Sequence, residues 1–373
     1  PLAAFYSWLI THESDWQDHV KPDDLILVCD VGGGTSDFSL ISLKESEGTP
    51  RFERIAVGEH LILGGDNIDL ALAGKVESKF RSKKPLSSDK WKTLAHRCRE
   101  AKERILEKGD DKVRITIKGE GRSLIAGTLA GDLTREDVET ILADQFFPRV
   151  DSTDLTTMDK GKEMADFGLP FETDSAVTRH VIDFLEKHRD AVNNQLAKDP
   201  VPDWILFNGG TLKPALVQEK IVQAIRQWFK VKDSTTPGVL DNNSPELAVG
   251  VGASYYGIVK QGEGVRVGSG SPMSYYLGVS TESGDQPKAV CLVERGLDEG
   301  SIIDLPQMKY EVRANEPVSF DVFSSSFRSG DKSGDILDID KSMTPMTPIQ
   351  TIIKFGKNSD KKAIPVTVGA EYT

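Results

Sequence analysis

The stretch that decides the fold is Asp30-Val31-Gly32-Gly33-Gly34-Thr35-Ser36-Asp37. Before it, residues 25–29 form a continuous apolar run, which predicts a strand buried on both faces. After it, residues 36–43 place apolar side chains among polar ones and predict a second strand. Consecutive glycines can turn several backbone N–H groups inward to bind an anion. The pattern therefore predicts a strand, an anion-binding turn and a second strand.

The side chains around this turn suit phosphate chemistry. Asp30 and Asp37 could hold magnesium through its water ligands or orient an attacking water, and Thr35 could donate to a terminal phosphate oxygen. The lysine of a Walker A loop is absent and a strand follows the glycines, which excludes that loop and disfavours a dinucleotide fold. The alternative is a glycine-rich hairpin whose acidic residues only keep its rim soluble.

Four motifs, in this order, resemble those of the seventy-kilodalton heat-shock chaperone family, the DnaK-like proteins of the actin and sugar-kinase superfamily. Residues 30–37 look like the second phosphate motif of that family, and residues 63–69 look like its L-G-G-x-D-F-D helix start. Residues 208–214 stand in the place of its adenosine motif, V-G-G-x-T-R-x-P. Residues 245–253 are similar to its closing N-P-D-E-A-V-x-x-G-A helix. The resemblance spans roughly residues 1–258.

The resemblance implies an α/β fold, in which an actin-like ATPase lobe, a mixed or antiparallel sheet with flanking helices, precedes a β-rich, sandwich-like domain. It implies ATP or ADP with Mg²⁺ as the ligand, Asp30, Thr35 and Asp37 as catalytic residues, and Asp30 beside the hydrated metal. Lys102 stands where a lysine of the family contacts the adenosine. The residues that the resemblance implies in nucleotide binding are Gly32, Gly33, Gly34, Thr35, Gly65, Lys102, Gly209, Gly210 and Glu246.

Three positions depart from the family pattern. Arg99 replaces a carboxylate expected on the ribose, and Leu212 replaces the arginine that usually stacks on adenine. Asn208 replaces the first glycine of the adenosine motif. We therefore expect altered ribose recognition, with aliphatic groups on either side of the adenine.

The domain organisation follows from a change of period near residue 262. This change separates residues 1–260 from a linker, residues 261–271, and a β-rich domain, residues 272–373. The resemblance implies that residues 1–260 are the carboxyl-terminal half of an actin-like nucleotide-binding domain. Residues 271–279 faintly resemble the opening of the family's peptide-binding sandwich, which would hold extended apolar segments. A structural β domain without a client is the alternative, and the family's apolar-acidic linker is absent here.

The leading functional hypothesis is a chaperone-like protein that binds ATP and hydrolyses it while binding unfolded polypeptide. The family's first phosphate loop and catalytic lysine would lie upstream of Pro1, so we expect turnover in a longer parent and little in this chain alone. Possible partners are unfolded clients, co-chaperones and the first lobe of the parent. The alternatives are a nucleotide-binding scaffold without turnover and a small-molecule kinase of the same superfamily.

Composition narrows the class of protein further. A formal net charge of −12 argues against sequence-blind nucleic-acid binding, which needs a basic surface. The sequence contains no run of about 18 apolar residues, so it predicts no membrane-spanning helix. The three cysteines lie far apart, without a C-x-x-C pair, which predicts free buried thiols and a reducing cytoplasm. The spacing of the six histidines gives no protein-only metal site.

The remaining periodicities predict the other elements of the fold. Three strands close together in sequence predict an antiparallel meander, and residues 134–137 form a capping-box pattern. A helix starting at Ser244-Pro245 has a small-residue face that permits close packing. The predicted strands are 25–29, 36–43, 52–57, 113–117, 204–207, 288–294, 317–323, 349–355 and 363–368, and the predicted helices are 66–80, 91–107, 134–146, 175–196 and 214–229.

Overall fold

The computed structural model describes residues 1–46, 49–80, 86–118, 128–155, 172–242, 244–268, 270–271, 273–279, 287–297, 300–325, 328, 330–354 and 362–372. The chain divides into two compact units. The first comprises Pro1–Leu43 and Gly58–Val265, and the second comprises Lys44–Val57 and Arg266–Thr373.

The helices all belong to the first unit within the described part of the chain. They are α1 Leu2–Thr11, α2 Trp16–His19, α3 Gly65–Ser78, α4 Ser88–Glu107, α5 Arg135–Ile141, α6 Val177–Lys187, α7 Arg189–Leu196, α8 Ala215–Trp228 and α9 Ala248–Val259. A π-helical turn, Leu142–Phe146, continues α5, and a 3₁₀ turn, Gly210–Leu212, precedes α8.

The strands occur in both units. They are β1 Leu25–Val31, β2 Ser36–Ser46, β3 Thr49–Val57, β4 Lys112–Lys118, β5 Thr128–Thr134, β6 Trp204–Asn208, β7 Gly238–Leu240, β8 Val267–Gly268, β9 Ser274–Val279, β10 Lys288–Val293, β11 Ile302–Arg313, β12 Pro317–Phe320, β13 Val322–Ser325, β14 Ile336–Asp338, β15 Thr344–Pro345, β16 Ile349–Ile352 and β17 Ala363–Glu371.

Strand β1 is the centre of the sheet in the first unit. It pairs antiparallel with β2 and parallel with β6, and β6 in turn pairs parallel with β7. Its residues Leu25–Cys29 have no exposed surface, which confirms the prediction of a strand buried on both faces. The register places Asp30 opposite Asp37 on β2 and opposite Asn208 on β6. Three polar side chains therefore meet at one edge of a buried sheet.

The helices around the sheet follow the predicted periodicity. On α4 the residues Leu94, Cys98, Ala101 and Ile105 are all buried, as helical spacing requires. Helix α9 packs closely on α1, because a Cβ on Gly252 would lie only 1.7 Å from the backbone oxygen of Ala3. The small-residue face predicted for this helix is thus confirmed. No helix among the described residues is long and apolar enough to cross a membrane.

Three helical predictions need correction. The helix predicted at Ser244-Pro245 begins later, at Ala248, because residues 245–247 form a turn. The helix predicted over 175–196 is broken at His188, whose ring Nδ1 bonds to the Phe184 carbonyl oxygen at 2.8 Å. The helix that starts at Thr134 changes to π-helical geometry at Leu142. The capping box itself is confirmed, since the Thr134 hydroxyl accepts from the N–H of Asp137.

The second unit contains strands and no helix within its described residues. A five-stranded sheet has the order β14-β10-β9-β13-β15, and β11 pairs antiparallel with β17. Alternate residues of β10 enter two hydrophobic cores, with Cys291 in one and Val290, together with Ile303 and Leu305 of β11, in the other. The fold is therefore an α/β lobe with a mixed sheet and flanking helices, followed by a β-rich part.

Strand β11 was missed by the sequence analysis. It contains Pro306, which cannot donate to a ladder, and its pairing with β17 shifts register between Leu305 and Lys309. The proline lies inside that irregular segment, so the strand continues on either side of it. A strand prediction that follows the alternation of apolar and polar residues ends at such a proline.

Candidate functional site

The glycine turn Gly32–Thr35 connects β1 and β2 as predicted. The N–H of Gly32 donates to the carbonyl oxygen of Thr35 at 2.9 Å, which closes the turn. Within the described part of the chain, no backbone acceptor is bonded to the N–H groups of Gly33, Gly34 or Thr35. Gly33 is exposed and its two neighbours in the turn are half-buried. The turn therefore presents backbone donors, which an anion can accept.

The start of α3 is attached to the glycine turn. The N–H groups of Gly65 and Asp66 donate to the carbonyl oxygens of Gly32 and Gly33 at 3.0 and 2.7 Å. A Cβ on Gly64 would lie 2.6 Å from the Gly33 oxygen, so only glycine permits this approach. The glycine pair of residues 63–69 thus holds the turn against the helix.

The second glycine pair contacts the turn from the other side. Gly209 has φ +88°, and a Cβ there would lie 2.2 Å from the carbonyl oxygen of Val31. Two residues later, the hydroxyl of Thr211 donates to the Gly32 carbonyl oxygen at 2.8 Å. A Cβ on Gly65 would lie 2.8 Å from that hydroxyl oxygen. Three motifs that are distant in sequence therefore meet around Gly32.

The two candidate catalytic carboxylates each have a polar partner. Asp30 accepts from the amide Nδ2 of Asn208 at 3.0 Å, and Asn242 donates to Asn208 Oδ1 at 3.1 Å. Asp37 lies 2.8 Å from the ring Nδ1 of His60. Asn208, which departs from the family pattern, thereby orients the carboxylate of Asp30. His60 and Asn242 were missed, and only their place in the fold identifies them.

A cavity of about 400 Å³ lies beside the turn, within the first unit. It brings together Gly33, Gly65, Lys102 and Gly210, four of the residues that the resemblance implied in nucleotide binding. Its other lining residues are Ile68, Asp69, Arg99, Glu103, Leu106, Glu107, Leu142, Thr211, Lys213, Pro214 and Val217. The volume is in the range of small-ligand sites, which have apolar walls and a few polar groups.

The charged wall of this cavity is organised around Asp69. Its carboxylate is almost fully buried and lies 2.7 Å from Lys102 Nζ and 2.9 Å from Arg99 Nε. The hydrogen bond to Asp69 is the main cause that raises the pKa of the Arg99 guanidinium. Arg99 also forms an ion pair with Asp66. Both cations are therefore held by carboxylates of α3.

Asp66 places a negative charge next to the glycine turn. A Cβ on Gly33 would lie 3.6 Å from one of its carboxylate oxygens, and one on Gly34 would lie 3.9 Å from the other. The ion pair with Arg99 compensates this charge. The sequence analysis assigned no role to Asp66 or Asp69.

Five of the nine residues that the resemblance implied in nucleotide binding are not among those that line the cavity: Gly32, Gly34, Thr35, Gly209 and Glu246. Gly209 packs on the end of β1. Glu246 is 59% exposed and forms an ion pair at 3.3 Å with Lys213, which does line the cavity. Leu212, expected near the adenine, is 1% exposed and faces the core. Aliphatic contacts to a ligand would instead come from residues such as Ile68, Leu106 and Pro214.

A comparison with models of known protein families gives a match over part of the chain. Residues 15–161 match the family model described as Hsp70 protein. The matched region contains the glycine turn, the start of α3 and the α4 residues Arg99 and Lys102. The residues that supply Gly209 and Gly210 follow it in the chain.

Proposed function

We propose, from the match of residues 15–161 to the Hsp70 family model, that the first unit of this chain binds ATP or ADP with Mg²⁺ in the cavity beside the glycine turn. The family binds adenine nucleotides and is chaperone-like. The observation that carries the proposal for this chain is the convergence of Gly33, Gly65, Lys102 and Gly210 on one cavity of about 400 Å³. Gly33 and Gly210, which are 177 positions apart in sequence, line the same cavity.

The residues present fit a nucleoside phosphate. The N–H groups of Gly33, Gly34 and Thr35 have no backbone acceptor among the described residues and could donate to phosphate oxygens. Lys102 and Arg99 supply positive charge, while Ile68, Leu106 and Pro214 supply apolar surface for a base. Bound Mg²⁺ would neutralise phosphate charge, which is its usual contribution to phosphoryl transfer.

We assign separate roles to the polar groups at the edge of the sheet. Asp30, oriented by Asn208, would hold a water of the hydrated metal, and Thr35 would donate its hydroxyl to a terminal phosphate oxygen. Asp37, with its partner His60, would orient an attacking water. These groups position and stabilise charge, which is nearly all that phosphoryl transfer requires of a protein.

We further propose that the second unit binds extended polypeptide. Members of the Hsp70 family typically bind unfolded clients and co-chaperones. In this chain every residue of β16 is exposed, with Ile349 and Ile352 at 56% and 51%. An exposed apolar strand can accept an extended segment by adding it to its edge.

A nucleotide-binding scaffold without turnover is the second candidate. One observation favours it: the carboxylate of Asp66 lies beside Gly33 and Gly34, where phosphate charge would develop. Because like charges repel, the Asp66 carboxylate would weaken the stabilisation of phosphate charge in the transition state more than it would weaken binding of the base.

Titration calorimetry of the full chain with Mg·ATP and Mg·ADP tests the binding proposal. Gly210 lines the cavity and a Cβ there would meet nothing within 4 Å, so Gly210→Phe should fill the cavity without a backbone clash. Gly257 is exposed on the outer face of α9 and is equally open, so Gly257→Phe is the matched control. We expect the first variant alone to abolish binding.

No heat with either nucleotide from the folded wild type would refute the proposal, and so would equal binding by both variants. Single-turnover phosphate release then separates the two candidates. Turnover that falls with Asp30→Asn supports hydrolysis, whereas binding without turnover supports the scaffold.

A further inference from the structure

A groove along α8 lies next to the candidate nucleotide cavity. Two cavities of about 330 and 500 Å³ share Phe147 and Lys220 as lining residues, so they adjoin and form one groove. Helix α8 forms one wall and the segment around Phe147 forms the other. Among the described lining residues, the groove and the candidate nucleotide cavity have Leu142 and Val217 in common.

The wall from α8 is a single helical face. Leu216, Lys220, Gln223 and Gln227 are spaced by three or four residues and line the groove in turn. The eleven-residue separation of the first and last corresponds to about 16 Å along the helix. An extended polypeptide advances about 3.3 Å per residue, so the groove has room for about five residues.

The two ends of the groove carry opposite charge. Arg149, Lys220 and Arg226 line the larger cavity, and no carboxylate is among its lining residues in the described part of the chain. Glu139 and Asp144 line the smaller one. The chain as a whole has a net charge of −12, so a cavity lined by three cations and no described carboxylate departs from its average charge.

The cationic end is built on a fixed guanidinium. Arg226 donates through Nε to the Thr236 carbonyl oxygen at 2.8 Å and through Nη2 to the Ser234 oxygen at 2.6 Å. Asp233 lies close enough to Arg226 to interact, but it does not line the groove. The Arg226 group is thereby held in place, and it retains N–H donors toward the groove.

The floor of the groove is apolar and its rim carries amides. Leu216 and Pro148 contribute half-buried apolar surface, whereas Gln223 and Gln227 are exposed at the rim. Amide side chains can both donate to and accept from a peptide backbone. A small inorganic anion would use only the cations, whereas a peptide would use all three kinds of surface.

We propose that this groove binds an extended segment of another polypeptide, with an acidic end against Arg149, Lys220 and Arg226. The charge separation, the apolar floor, the amide rim and the length of the face are complementary to such a ligand. Val217 and Leu142 line both this groove and the nucleotide cavity, so the two sites share a wall. The proposal does not depend on nucleotide binding.

Fluorescence anisotropy of the full chain, without nucleotide, tests the proposal. The probe is a fluorescein-labelled six-residue peptide with three glutamates followed by three apolar residues. A second probe carries three lysines in their place. We expect the acidic probe to bind more tightly than the basic probe, and its binding to weaken with added salt.

The charge-reversal variant Arg149→Glu/Lys220→Glu should weaken the acidic probe by about tenfold or more, since each change replaces an attraction with a repulsion of similar size. It should also strengthen binding of the basic probe. Lys92→Glu/Lys118→Glu, with the same change in net charge at exposed positions outside the groove, is the matched control. It should leave both affinities within about twofold.

Three results would overturn the proposal. The first is no binding of the acidic probe to the folded wild type. The second is an equal loss in the groove variant and the control. The third is displacement of the probe by millimolar inorganic phosphate alone, which would identify a simple anion site.

Discussion

The replacement Gly209→Ala tests how the glycine turn is held against β6. Gly209 has φ +88° and ψ 150°, a region that is essentially restricted to glycine and costs other residues about 1–3 kcal/mol. The new methyl group would lie 2.2 Å from the carbonyl oxygen and 2.5 Å from the carbonyl carbon of Val31. Relieving that contact requires a backbone shift, and such overpacking costs a further 1–3 kcal/mol or so.

We therefore expect Gly209→Ala to lower the free energy of unfolding of the first unit by about 2–6 kcal/mol. Gly210→Ala is the matched control, because a Cβ at that neighbouring position meets nothing within 4 Å and its φ is not positive. The control should change stability by no more than about 0.5 kcal/mol.

Urea denaturation followed by tryptophan fluorescence measures the difference. All five tryptophans of the chain lie in the first unit, so their emission reports on that unit alone. With a slope of about 3 kcal/mol per molar urea, the midpoint of Gly209→Ala should fall by about 1–2 M. A midpoint within about 0.2 M of the Gly210→Ala control would refute the reasoning.

Three further predictions concern buried charges and thiols. Asp69→Asn should destabilise the first unit by about 2–3 kcal/mol in the same urea assay, because two cations lose their common carboxylate; a loss below about 0.5 kcal/mol would contradict this. In the second unit the hydrogen bond from Arg328 is the main cause that lowers the pKa of Asp331. The ionised Asp331 carboxylate therefore stabilises the folded unit above the ordinary carboxyl pKa, and this stabilisation is lost as the pH falls and the carboxylate is protonated. The stability gap between wild type and Asp331→Asn, measured by circular dichroism in urea, should therefore narrow from pH 7 to pH 3, and an unchanged gap would refute it. Burial raises the pKa of Cys98 and of Cys291 to about 12, and all three cysteines are buried and free, so a thiol reagent at pH 8 should label the chain only after urea is added.

The architecture of the first unit could be predicted largely from local patterns. The apolar run of residues 25–29, the glycines after it and the periodicity of α4 each depend on residues within one element, so sequence is sufficient to identify them. The capping box at Thr134 is equally local. The predicted start of α9 at Ser244-Pro245 was wrong, because a proline after a serine is also compatible with a turn.

Part of the candidate site could also be predicted, and the rest could not. Motif resemblance identified Gly33, Gly65, Lys102 and Gly210, which the structure places around one cavity. The roles of each candidate site residue remain predictions. The ion pair of Arg99 with Asp66 joins residues 33 positions apart, and no spacing rule relates them.

The sequence by itself determined the strand–turn–strand unit of residues 25–43 and the family resemblance, because these depend on the order and polarity of neighbouring residues. Only the tertiary structure decided which side chains meet: Asn208 on Asp30, Asp69 between Arg99 and Lys102, and the groove along α8. Such contacts result from parallel pairing and helix packing between distant segments. Their partners are set by the register and rotation of whole elements, which local sequence patterns do not specify.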